Sequence, residues 1–167
     1  MARASFLTRR EGHYWFQIRF DPFANRSDAT VPVAAWLAEV MRHVAGETVS
    51  AMTMDRYKQA ELGEAIDKAG IRAPLVWRGQ GFRDGSEDCL RFQRACFDGR
   101  VKSSPSLLLR SAFADAVTLR DPANNLKLAK ARSSGRIDAA AASVLAVAEG
   151  ACQTGRRHKQ ARSAIWV

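Results

Sequence analysis

The chain predicts an α/β fold, a small mixed sheet preceded by a β-hairpin. Three observations carry that expectation. An apolar strand, a helix and a second apolar strand follow one another over residues 49–78, the order of a right-handed crossover between parallel strands. A stretch rich in Ala and poor in charge, residues 133–150, reads as a helix packed on most of its surface. Residues 13–20 alternate between two sets of side chains, Tyr14, Phe16, Ile18 and Phe20 against His13, Trp15, Gln17 and Arg19, as a β-strand does.

Taken in order, residues 5–20 form the hairpin, with its turn near Arg10, Glu11 and Gly12, and Asp21-Pro22 ends it. Residues 23–30 are polar and read as a loop. Trp36, Leu37, Val40, Met41 and Val44 recur at helical spacing, and Gly46 closes that helix. Residues 49–54 are a buried strand with Asp55 just past its end. Residues 56–69 are a helix presenting Tyr57, Ala60, Ala65, Ile66 and Ala69, stopped by Gly70. Residues 73–78 are the second strand, with Pro74 at its start, where a missing amide is tolerated.

Residues 79–85 are glycine-rich but carry no G-K-[ST], so they read as a linker and not as a phosphate-cradling loop. Ser86 then caps a helix through Phe97, with Leu90, Gln93, Cys96 and Phe97 as inward candidates, closed by Gly99. Residues 105–116 are a helix with Pro105 in its first turn. Residues 117–119 are a short strand, and residues 121–125 are a turn. In the last helix Ser133 or Ser134 is the expected cap, Gly135 allows a close approach, Asp138 is the acid of the first turn and Gly150 ends it.

The 167 residues suffice for one ordinary domain, and 47% are hydrophobic, enough to build a core. Lys and Arg number 26 against 17 Asp and Glu, a net charge of +9 that suits a polyanion such as nucleic acid. Arg91, Arg94, Arg100 and Lys102 form one basic cluster. Lys127, Lys130 and Arg132 lead into the last helix, and residues 154–162 form a basic tail. Cys89, Cys96 and Cys152 are odd in number and make no C-x-x-C pair, which argues against a disulfide framework or a zinc site. Cys89 and Cys96 are expected to share a packed face. No apolar run is long enough to span a bilayer, and the first residues lack a signal peptide's apolar core, so a reducing cytoplasm is the expected setting.

Two acids stand where chemistry is common. Asp55 follows a strand of a parallel pair, and functional residues gather beyond such carboxyl ends. Asp138 enters a helix beside a buried wall. Each also has a plain structural use, since Asp caps helices well and complements the helix dipole.

Four segments in order resemble the nuclease region of phage terminase large subunits: Met54-Asp-Arg-Tyr-Lys-Gln-Ala-Glu-Leu62, Arg78-Gly-Gln-Gly81, Asn124-Asn-Leu-Lys-Leu-Ala-Lys130 and Gly135-Arg-Ile-Asp-Ala139. The resemblance covers residues 36–150. It implies a ribonuclease H-like fold from a DNA-packaging motor whose other half is an ATPase. It makes Asp55 and Asp138 the second and third acids of a metal-binding catalytic triad. Mg²⁺ or Mn²⁺ is the implied cofactor, since two such ions about 3.5–4 Å apart activate the water and stabilise the leaving oxygen. Double-stranded DNA is the implied substrate, with Arg94, Lys127 and Lys130 near its phosphates. The small terminase subunit and the portal are the implied partners, in the cytoplasm of a bacterial host.

The chain departs from the family's pattern in one respect. The family's first acid lies in a first strand, followed by two more strands and a helix before the position of Asp55. Here a hairpin, a loop and one helix precede Asp55, and Asp21 is the nearest other acid to a strand apart from Glu11 in the turn. No Walker motif is present. The expected organisation is a hairpin and loop over 1–30, a nuclease region truncated at its first strands over 31–150, and a basic tail over 151–167. Residues 5–20 also resemble the "L-T-R-R-x-G-x-Y-x-F-Q-x-R" opening of phage-type tyrosine recombinases (integrases), with no Arg/His/Tyr catalytic set behind it. Two other expectations stand beside the nuclease: a non-enzymatic basic DNA-binding module, and a non-functional prophage remnant.

Overall fold

The computed structural model describes residues 4–10, 13–19 and 33–163. Asp21, the loop over 23–30, the hairpin turn at 11–12, the shared face expected of Phe16 and Ile18, and the basic side chains of 156–162 lie outside what it describes.

Strands β1 (Ala4–Arg10) and β2 (His13–Arg19) form the expected hairpin, antiparallel, with Thr8 opposite Trp15. A strand of only three residues, β5 (Val101–Ser103), then pairs parallel to β2, with Tyr14 opposite Val101. Helix α1 (Val33–His43) turns off at Gly46, whose φ of +82° is a conformation glycine adopts freely. Strands β3 (Met52–Asp55) and β4 (Leu75–Arg78) form the expected parallel pair, joined by a 3-10 turn (Arg56–Lys58) and α2 (Gln59–Lys68). Strands β6 (Thr118–Arg120) and β7 (Leu126–Leu128) form a short antiparallel pair. The strands therefore make three sheets, ordered β1-β2-β5, β3-β4 and β6-β7, and not one mixed sheet.

Three helices complete the fold: α3 (Phe82–Phe97), α4 (Leu107–Ala114) and α5 (Asp138–Ser163). α3 starts at Phe82, ahead of the expected Ser86. Ser86 is buried inside the helix, and its hydroxyl accepts the Leu126 amide at 3.2 Å. The inward face of α3 is accordingly Ser86, Asp88, Cys89 and Ala95. The expected inward residues Leu90, Gln93, Cys96 and Phe97 are exposed, and Cys89 and Cys96 do not share a packed face. All three cysteines are free thiols. Ser106, not Pro105, begins α4, its hydroxyl accepting the Leu109 amide at 3.2 Å. Tyr57, expected inward, is exposed.

α5 passes through Gly150 without ending there and runs on to Ser163. It is the helix the other elements share. Val147 packs with Tyr14 of β2, Ala95 of α3 and Leu109 of α4. Ala139 and Ala140 pack with Ala112 of α4, and Val144 packs with Cys89 and Leu126. A fourth cluster, Leu37, Met54 and Ile66, lies apart in α1, β3 and α2. Burying Val147 or Ile66 fully stabilises the fold by about 1.5–3 kcal/mol each. Among the described residues no helix is long and apolar enough to cross a membrane.

Candidate active site

Asp55 is the last residue of β3 and lies opposite Arg78, the last of β4. The parallel register therefore aims both chain exits at the same end. Asp55 Oδ1 accepts the Tyr57 amide at 3.0 Å, which caps the 3-10 turn. Its Oδ2 accepts the side-chain amide of Gln80, from the loop between β4 and α3. So Asp55 does cap, and its second oxygen is held by a neighbouring loop as well.

That loop leads into an acid that sequence reasoning passed over. Asp84, in the first turn of α3, accepts the Gly79 amide at 2.8 Å, and Arg56 lies 3.9 Å from its carboxylate. Behind it Arg78 and the buried Asp88 pair through both guanidinium and carboxylate, with Arg78 Nε 3.0 Å from Asp88 Oδ2. The hydrogen bond that Arg78 donates to Asp88 raises the basicity of Arg78 above its ordinary value, against the opposing effect of burial. The charges of Asp84 and Glu149 add to it, placing Glu149 of α5 in the same electrostatic neighbourhood.

The other flank of α3 carries the lysines. A Cβ at Gly85 would stand 3.1 Å from Lys127 Cβ, so glycine is what lets β7 approach α3 here. Lys127 Nζ sits 4.5 Å above the Phe82 ring. Lys130 Nζ is 3.5 Å from Asp138 Oδ1, both side chains near half-exposed. Arg94 is exposed on the last turn of α3, roughly 14 Å along the helix from Gly85 at 1.5 Å per residue. The structure thus pairs Asp55 with Gln80 and, separately, Asp138 with Lys130; Lys127 lies by the start of α3 and Arg94 near its far end.

Asp138 enters α5 differently from the expectation. Neither serine caps the helix. Ser133 Oγ donates to the Ala129 carbonyl at 2.9 Å and accepts the Val117 amide at 3.2 Å, while Ser134 donates to Asp115 at 3.2 Å. The Ile137 carbonyl accepts the Ala141 amide, so Asp138 is the first helical residue. What sits against Gly135 is the Asp115 carboxylate, which a Cβ there would overlap.

Carboxylate oxygens are the hard donors that Mg²⁺ and Mn²⁺ take. In number they fall short: among the described residues no group of three or more His, Cys, Asp or Glu side chains is placed to hold a metal ion. The donor type suits the metals; the set is not a full cage.

Residues 10–153 match the family model of the terminase large subunit, endonuclease domain. The chain belongs to that family. The terminase large subunit of Enterobacteria phage HK97 is 29% identical over 119 residues, 71% of this chain and 24% of that protein. The chain thus spans about a quarter of that relative's length. The crystal structure of the HK97 bacteriophage large terminase superposes with a TM-score of 0.76 at 22% identity, covering 87% of this chain and 36% of that one. The large terminase nuclease from thermophilic phage G20c gives 0.56 at 10% identity, covering 86% and 80%. The mixed α/β fold is therefore that of terminase nucleases. The family match begins at Arg10, ahead of the stretch from Trp36 that carries the resemblance in sequence. It takes in β2, the strand that also resembles an integrase opening.

Gln80 and Asp84 are the site residues that sequence reasoning missed. Their signal was an amide and an acid flanking Gly81 just after a strand, in a segment read as a linker.

Proposed function

We propose that this chain works as the DNA-cleaving region of a phage DNA-packaging terminase, cutting double-stranded DNA with the help of Mg²⁺ or Mn²⁺. The observation that carries the reading is the position of Asp55, at the carboxyl end of the parallel pair β3–β4 and inside the family match. In this reading Asp55 and Asp138 each give a carboxylate to the metal site. Lys127 and Lys130 lie along the phosphate path beside them, and Arg94 contacts the duplex further out. Among the described residues no third His, Cys, Asp or Glu side chain joins them in a metal-holding group, so on this reading cleavage by this chain is slow. The packaging partners are the small terminase subunit and the portal, and the setting is the cytoplasm of a bacterial host.

Nicking of supercoiled plasmid tests this, with Mn²⁺, Mg²⁺ or EDTA. The expected result is slow Mn²⁺-dependent nicking, lost in Asp55→Ala and Asp138→Ala. Unchanged nicking in both variants would remove the two acids from the chemistry. A second reading, a DNA-binding module without catalysis, is favoured by the +9 charge together with the partial acid set. It predicts no nicking by folded protein, and DNA binding that falls steeply with salt and ignores Mg²⁺.

A further inference from the structure

The two exits of the parallel pair are tied together by side chains that the proposed chemistry leaves unexplained. Asp55 and Arg78 lie opposite each other at the ends of β3 and β4. Gln80, two residues past Arg78, reaches back across that register and donates its side-chain amide to Asp55 Oδ2. Asp55 Oδ1 accepts the Tyr57 amide at 3.0 Å. Each carboxylate oxygen therefore has its own donor, one from the chain after β3 and one from the chain after β4. Gln80 is exposed, so core packing does not account for its place.

Gln80 is itself held from behind. Asp84 Oδ2 accepts the amide of Gly79, the residue before Gln80, at 2.8 Å. An ionised acceptor makes such a bond stronger than a neutral one does. A Cβ at Gly79 would stand 3.0 Å from the same oxygen, so glycine lets the loop close on it. Arg56 lies 3.9 Å from that oxygen as well, a long and exposed contact that contributes little. The contacts close a ring through the backbone: Asp55 with Gln80, Gly79 with Asp84, and Asp84 with Arg56, the neighbour of Asp55.

We infer that Gln80 is the positioning residue of Asp55, and that Asp84 acts by aiming Gln80. A carboxylate turns easily about its last torsion, whose wells are broad. The Tyr57 amide alone is satisfied by either oxygen. A second donor on the other oxygen selects one orientation. An ionised carboxylate offers about four lone-pair sites, so the two donors leave it capacity for a cation. The donor is also neutral. Gln80 orients the charge without cancelling it, whereas Lys130 brings a charge of its own to Asp138. Groups that hold a metal-ligating carboxylate in this way set its affinity. The inference rests on the reading of Asp55 as a metal-binding acid, and it adds to that reading which residues aim the acid.

The test uses the full chain. In metal-free Gln80→Ala, amide exchange followed by NMR is expected to quicken several-fold at Tyr57, because the freed carboxylate turns away from it. Exchange at Met52, whose amide is bonded to the Pro74 carbonyl in the sheet, is expected to stay the same. Calorimetry is expected to show Mn²⁺ binding weakened about tenfold, the low end for a partner of a ligating carboxylate. Asp84→Ala is expected to weaken Mn²⁺ binding several-fold by itself and to add nothing to Gln80→Ala in the double variant, since the two act in series. Asp84→Asn, which keeps an oxygen for the Gly79 amide, is expected to restore the binding. Tyr57 exchange that is unchanged in Gln80→Ala, or that quickens together with Met52, overturns the positioning role. Additive losses in the double variant, or no rescue by Asp84→Asn, make Asp84 act independently and overturn its part. Wild-type chain that neither binds Mn²⁺ nor nicks DNA refutes the nuclease reading, and Tyr57 exchange then still decides whether Gln80 aims Asp55.

Discussion

Asp115 holds its carboxylate in the space that Gly135 leaves by having no side chain. Ser111 and Ser134 donate to that carboxylate at 3.2 Å each, so it is fixed from two sides. Three residues later Asp138 begins α5. The loop that aims Asp138 is thus anchored on a carboxylate that has no chemistry of its own.

Gly135→Ala is expected to destabilise the chain by about 1–3 kcal/mol, the usual cost of overpacking. Gly63, inside α2 with nothing within 4 Å of a built Cβ, is the control. Gly63→Ala is expected to stabilise by up to about 1 kcal/mol through helix propensity. Urea denaturation of both variants checks the pair, and equal effects would refute the crowding at Gly135.

Arg78 and Asp88 form the ion pair with most at stake, since the Asp88 side chain is only 3% exposed. Removing one partner of a buried pair costs about 3–5 kcal/mol. Arg91 remains 3.6 Å from Asp88, so Arg78→Ala is expected near the lower end, about 3 kcal/mol. The more exposed pair Lys68–Glu64 is expected to contribute under about 1 kcal/mol. Parallel denaturation curves for Arg78→Ala and Lys68→Ala distinguish the two.

Lys130 Nζ lies 3.5 Å from Asp138 Oδ1, so under the proposed role of Asp138 it competes with the metal for that oxygen. Lys130→Ala is expected to tighten Mn²⁺ binding several-fold in calorimetry while changing stability by under about 1 kcal/mol, as a half-exposed pair does. Unchanged Mn²⁺ affinity would argue that Asp138 is not a ligand.

The Asp121 carboxyl is held below the ordinary carboxylate range, first by the Asn125 side-chain amide and then by backbone amides. A lowered pKa stabilises the folded turn above the unfolded value, near 4, and that contribution is lost as pH falls through the folded value. Asn125→Ala is expected to raise the Asp121 pKa toward normal. Carbon NMR titration of the carboxyl reads the shift directly, and an unmoved curve would reject the assignment.

The unit β3–α2–β4 was legible because its signals are local: an apolar run, a helical stripe, Gly70 as a stop and Pro74 at a strand start. The phase of α3 was not. Its first turn holds Gly85, which reads as linker until β7 is seen to pack on it, and starting the helix at Ser86 misplaced its inward face. β5 and β7 have three residues each, too few for any period to show. Gly150 looked like a helix stop, yet packing carries α5 through it. Asp55 and Asp138 were legible as acids at element ends. The Gln80 contact to Asp55 joins residues from two chain exits, and only the parallel register brings those together.

The core of Leu37, Met54 and Ile66 closes within one contiguous stretch of chain, whereas Tyr14 meets Val101 across all of it. Short loops are cheaper to close than long ones, and low contact order speeds folding. Residues 33–78 are therefore expected to gain protection first in pulse-labelled exchange during refolding, with the β2–β5 pairing last; simultaneous protection would show a single nucleus. A ribosome part-way through this chain would carry a finished middle while β2 still waits for β5, not yet made.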